Sequence, residues 1–131
     1  MTATVDSAFA QHVTALCDAY LAAYAAGDAE GCAAVFTAEA RLDHPFGPPA
    51  RGRAEIATLH AGWVAEAERD KRMEVLEGEA QGTLGTALLI WSAEVDGPDG
   101  APRREGGVSL AVLHAGADGW RIHRMALLPD G

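Results

Sequence analysis

Apolar residues recur at three- and four-residue spacing from Ser7 to Ala26, at Phe9, Val13, Leu16, Tyr20 and Tyr24. That period predicts one long helix with a single buried stripe. Gly27 suits the left-handed turn that ends a helix, and Asp28 suits the cap of a short second helix over Asp28–Phe36. Arg41–His44 reads as a brief strand stopped by Pro45, and Phe46-Gly-Pro-Pro49 as a loop. A third helix is predicted from Arg53 to about Asp70, with Ile56, Leu59, Trp63 and Ala67 on its buried side. Beyond it the period changes to two. Met73, Val75 and Glu77 begin one strand, and Thr83–Val95 forms a second with an apolar centre. Asp96–Gly100 is a turn, Glu105–His114 the returning strand, Asp118-Gly119 a second turn and Trp120–Leu128 the last strand. Helices followed by an antiparallel meander imply an α+β fold, with three N-terminal helices packed on one face of a curved, mostly antiparallel sheet. A sheet curled around helices leaves a cone with an open mouth, a natural small-molecule pocket.

The chain has 131 residues, which predicts one domain, 1–131. Its formal net charge of −9 repels phosphate backbones and anionic lipid surfaces, so neither nucleic acid nor membrane is an expected partner. No apolar run approaches the ~20 residues of a spanning helix. Its N-terminus, Met-Thr-Ala-Thr-Val-Asp, lacks a basic region followed by an apolar run, so the cytoplasm is the expected location. Cys17 and Cys32 read as buried free thiols. No phosphate loop, dinucleotide fingerprint or nucleophile elbow is present, and no cofactor is implied. His44, His60 and His123 lack the spacing of a metal site, so none is expected.

Four segments carry a family resemblance: Tyr24-Ala-Ala-Gly-Asp28, Phe36-Thr-Ala-Glu-Ala40, Leu42-Asp-His-Pro-Phe-Gly47 and Arg51-Gly-Arg-Ala-Glu-Ile56. In this order they resemble the cone-shaped NTF2-like superfamily, which includes nuclear transport factor 2, SnoaL-type polyketide cyclases and ketosteroid isomerases. The resemblance runs from about Ala10 to Leu128, and it implies the conical α+β barrel. The nearest local likeness is to ketosteroid isomerase. There a carboxylate just before Pro-Phe-Gly is the general base, a position held here by His44. A tyrosine of the first helix donates to the oxyanion, a place matched by Tyr20. The tyrosines that support it correspond to Phe36 and His60. The second oxyanion donor corresponds to Leu110, or to Ser109 if the register shifts by one.

The resemblance thus implies a small, cofactor-independent isomerase or cyclase that moves a proton next to a carbonyl of an apolar molecule. In that reading His44 is the base and Tyr20 stabilises the enolate oxygen. Strand alternation supports it, since His44 shares a face with Leu42. The same position also suits a histidine hydrogen-bonded to the rim loop. The expected pocket wall comprises Leu42, His60, Trp63, Leu89, Trp91, Leu110, His123 and Met125. His123 is included because alternation places it on the face of Met125. The alternative is a non-catalytic protein that holds a hydrophobic small molecule in the same cone; a third reading is an interaction module without a ligand. A homodimer, paired through the outer sheet face, is expected.

Overall fold

The computed structural model describes residues 7–66 and 68–129; Ala67, expected on the buried side of the third helix, lies outside them. The elements are α1 (Ser7–Ala25), α2 (Ala29–Ala33), β1 (Phe36–Asp43), β2 (Ala50–Arg51), α3 (Gly52–Val64), β3 (Arg69–Gln81), β4 (Leu84–Asp96), β5 (Pro102–Gly116) and β6 (Gly119–Pro129). The strands form one sheet in the order β2-β1-β6-β5-β4-β3. All pairs are antiparallel except β1 with β6, as a helix-then-meander order requires. Among the described residues, no helix is long and apolar enough to cross a membrane.

The local signals act as their chemistry dictates. Gly27 takes a positive φ of 70° after α1, and the Asp28 carboxylate accepts from Gly31 N at 3.0 Å to cap α2. Phe9, Val13 and Cys17 of α1 meet Ile56 and Ala57 of α3 and the inward Leu89, Leu113 and Met125 of the sheet in one core. Each large aliphatic buried there stabilises the fold by about 1.5–3 kcal/mol.

Several elements differ from the pattern-based reading. The short helix stops at Ala33, and Phe36, expected inside it, begins β1. Ala38-Glu-Ala40 has helix-forming side chains, but Ile122 N donates to Val35 O at 2.9 Å and Phe36 pairs with Ile122, so β6 draws this segment into the sheet. β2, which the pattern does not show, is two residues laid antiparallel on Arg41 and Leu42. The third helix ends at Val64 rather than near Asp70, because Arg69 already pairs with Glu94 of β4 and bridges Glu94 and Asp96.

α1 approaches the sheet where side chains are missing. A methyl group on Gly85 of β4 would overlap the Phe9 ring, and one on Gly78 of β3 would touch it at 3.4 Å. Phe9 also sits edge-on to Trp120, with centroids 4.8 Å apart. Gly85→Ala is therefore expected to lower unfolding free energy by about 1–3 kcal/mol through overpacking. Gly78→Ala should cost clearly less. Chemical denaturation of both variants checks this order.

Candidate functional site

The helices do not fill the cone. Between α1, α3 and the inner sheet face lies a cavity of about 330 Å³. Five of the residues expected on its wall are there, Leu42, His60, Trp63, Trp91 and Met125, together with Tyr20. α1 supplies Tyr20 from its buried stripe, α3 supplies His60 and Trp63 one turn apart, and the strands supply the rest.

The cavity's polar centre joins two helices. Tyr20 Oη lies 2.9 Å from His60 Nε2, and His60 Nδ1 lies 2.8 Å from Ile56 O. His60 is only 1% exposed. Burial pushes its pKa down to about 4, with the Lys71 charge adding to the fall and the Ile56 hydrogen bond opposing it. Burial likewise pushes the Tyr20 phenol well above its ordinary value, helped by Cys32, Tyr24 and the Glu68 charge. Trp63 stands edge-on to His60, with centroids 4.9 Å apart, and edge-on to His44 at 5.6 Å.

His44, Leu89, Leu110 and His123 do not line the cavity. β1 ends at Asp43, and His44 turns into the rim loop. There Phe46 N donates to its Nδ1 at 3.2 Å, and its Nε2 lies 3.1 Å from Pro48 O. Because the amide fixes Nδ1 as acceptor, Nε2 carries the proton and both nitrogens serve the loop. Leu89 faces inward, but into the closed core, at 1% exposure. Leu110 is half exposed on the outer face, since Ser109, paired with Leu89 and Leu127, is the inward residue of β5. His123 is the extra residue of a bulge: Val112 pairs with Arg124 but Leu113 with Ile122. The bulge breaks alternation, so Ile122 and Met125 both face the cavity while His123 stacks on His114 with centroids 4.0 Å apart and reaches Thr37 Oγ1 at 2.9 Å. His44, His60 and His123 thus lie apart, at the rim, on the wall and away from the cavity. Among the described residues, no group of three His, Cys, Asp or Glu side chains is placed to hold a metal ion.

Polar groups complete the lining, several of which the pattern does not show. Ser109 Oγ and Trp91 Nε1 are buried without a hydrogen-bond partner. Lys71 enters because β3 starts earlier than its apolar alternation. Its ammonium lies over the rings of Tyr24, at 4.5 Å, and Trp91, at 5.4 Å, and pairs with Glu68 at 3.5 Å. Glu66, Glu68 and Glu105 bring carboxylates to the same wall, and Phe46, 72% exposed, stands at its edge. Cys17, also lining, is no nucleophile at neutral pH, since burial and then the Asp18 charge push its thiol up to about 11.

The depressed His60 pKa has a sign. Between about pH 6.5 and pH 4 the unfolded chain protonates this imidazole and the folded one does not, so its contribution is complete above pH 6.5 and lost on acidification. The loss approaches ~1.4 kcal/mol per pH unit at its steepest. Denaturation curves across this range should show a steeper fall for the wild type than for His60→Phe; equal slopes would show that the imidazole is not held neutral.

The model of the SnoaL-like domain family matches residues 17–125. Among curated proteins no significant sequence match is found. Solved structures share the fold at low identity. A ketosteroid isomerase-like protein from Erwinia carotovora superimposes with a TM-score of 0.78 at 20% identity, over 95% of each chain. A cystatin-like-fold domain of unknown function from Nostoc punctiforme gives 0.79 at 22%, covering 97% of this chain and 80% of that one. An NTF2-like protein from Novosphingobium aromaticivorans gives 0.70 at 20%, covering 90% and 80%.

Proposed function

The chain belongs to the SnoaL-like domain family, and from that premise we propose that its cone binds a small, mostly apolar molecule with few polar groups. The observation that carries this reading is the Tyr20–His60 pair on the wall of an otherwise largely aromatic and aliphatic cavity. Apolar walls supply affinity, and a few fixed polar atoms supply orientation. Binding is favoured over turnover by the state of the histidines. A general base works best with a pKa near the operating pH. His60 is pushed down to about 4, Tyr20 is pushed up, and both His44 nitrogens are committed to the loop.

A second reading, proton transfer next to a carbonyl as in an isomerase or cyclase, is favoured by one observation. Glu68 lines the same cavity as Tyr20 and its charge acts on that phenol. A carboxylate there, rather than His44, would be the base. The bicyclic ketone 1-tetralone separates the two readings. Calorimetry should show saturable binding that Met73→Trp, which fills the cavity from β3, weakens by about tenfold or more. No saturable binding overturns the reading. Hydrogen–deuterium exchange at the carbon beside the carbonyl should run at the buffer rate. Exchange accelerated by the protein and lost in Glu68→Gln would establish turnover instead.

We further infer that two copies pair through the outer sheet face. Leu88, Ile90, Val108, Leu110, Ala126 and Leu128 are cross-strand neighbours on β4, β5 and β6, and Ile90, Leu110 and Leu128 are strongly exposed. Such a contiguous apolar patch is unusual on a monomer. Light scattering at micromolar protein should give a dimer mass, and Leu110→Arg a monomer mass. A wild-type monomer contradicts the pairing.

A further inference from the structure

The hydrogen-bond direction at the cavity centre is determined by its far end. Ile56 O can only accept, so His60 Nδ1 carries the proton. A neutral imidazole has one N–H, so Nε2 is a lone pair, and the Tyr20 hydroxyl donates into it. Tyr20 has a single proton, and it points away from the cavity. What its oxygen offers a ligand is a lone pair. The chain also polarises in one direction, which strengthens Tyr20 as an acceptor. The opposite arrangement, with Tyr20 donating to a ligand, would strip His60 Nε2 of its partner or require a buried imidazolium. Either carries the cost of an unsatisfied or charged group away from water.

Two further polar atoms of the wall have the complementary need. Trp91 Nε1 is a donor only, and Ser109 Oγ is buried with no partner. Trp91 pairs with Gly107 and Leu89 with Ser109, so Trp91 and Ser109 are diagonal neighbours on adjacent strands. Both side chains line the cavity. Each lacks a hydrogen bond that an acceptor oxygen would supply.

We propose that the cavity selects an apolar molecule that donates a hydrogen bond at Tyr20, through a hydroxyl or N–H group, and offers an acceptor oxygen to Trp91 and Ser109. This rests on the small-molecule reading above and specifies its ligand class. It also reverses the role that resemblance suggests for Tyr20, from donor to acceptor. A carbonyl ligand therefore docks with its oxygen on the sheet side, at Trp91 and Ser109, rather than at α1.

Three bicyclic compounds test the assignment by calorimetry. 6-Hydroxy-1-tetralone carries both groups, 6-fluoro-1-tetralone lacks the donor, and 5,6,7,8-tetrahydro-2-naphthol lacks the ketone. The hydroxy-ketone should bind about tenfold or more tightly than the fluoro-ketone. Tyr20→Phe should abolish that difference while leaving the preference for the ketone intact. Trp91→Phe should do the reverse, which makes the pair of variants a cycle on each ligand group. If Tyr20→Phe removes the preference for the ketone instead, Tyr20 is a donor and the proposal is overturned. Equal affinity of hydroxy- and fluoro-ketone in the wild type overturns it too, while leaving the small-molecule reading in place. Saturable binding of none of the three overturns both.

Discussion

A buried imidazole has two nitrogens to satisfy, and here each is answered by a different helix. His60 Nδ1 turns back along α3 to Ile56 O, and His60 Nε2 crosses to Tyr20 of α1. An uncompensated polar atom at this depth would cost about 1–3 kcal/mol. The two helices are therefore held in one relative position across the mouth of the cone. Tyr24 Oη, which donates to Trp63 O at 3.2 Å, adds a second tie between them one turn further along. These polar contacts bridge α1 and α3, and the cavity lies between the two helices and the sheet.

That constraint also shapes the cavity's chemistry. The same burial that requires partners for His60 drives its pKa down and that of Tyr20 up, so the pair holds its protons in place at neutral pH. It is a fixed polar element of the wall. The carboxylates and the single lysine lie elsewhere on the wall, where Glu68 and Lys71 neutralise each other. The cone is shared with solved structures at about 20% identity, and function resides in the site rather than in the fold.

Much of this was legible in the chain. Helical spacing from Phe9 to Tyr24 marks α1 and puts Tyr20 inward, and the period-two segments mark β4, β5 and β6. What escaped was decided between distant segments. Phe36 joins the sheet only because β6 lies beside it. His123 leaves the face of Met125 only because a bulge inserts a residue opposite β5. The choice between Leu110 and Ser109 turns on a one-residue register, which local alternation does not determine when Val108 to Leu113 is almost continuously apolar. His44 follows the parity of Leu42 on paper, but Pro45 ends the strand and the loop amide and carbonyl claim both ring nitrogens. Spacing alone showed His60 only as a helix histidine; the resemblance put it beside Tyr20, and the structure places the two 2.9 Å apart.

The chemistry of the cavity centre turns on one proton, and nitrogen NMR of the His60 ring at neutral pH reads it directly. Selective labelling with His60→Phe as the assignment control isolates the signal. A neutral ring with Nδ1 protonated and an unprotonated, hydrogen-bonded Nε2 is expected. A ring protonated at Nε2, or an imidazolium with both nitrogens protonated, would contradict it and return the Tyr20 hydroxyl to the cavity as a donor.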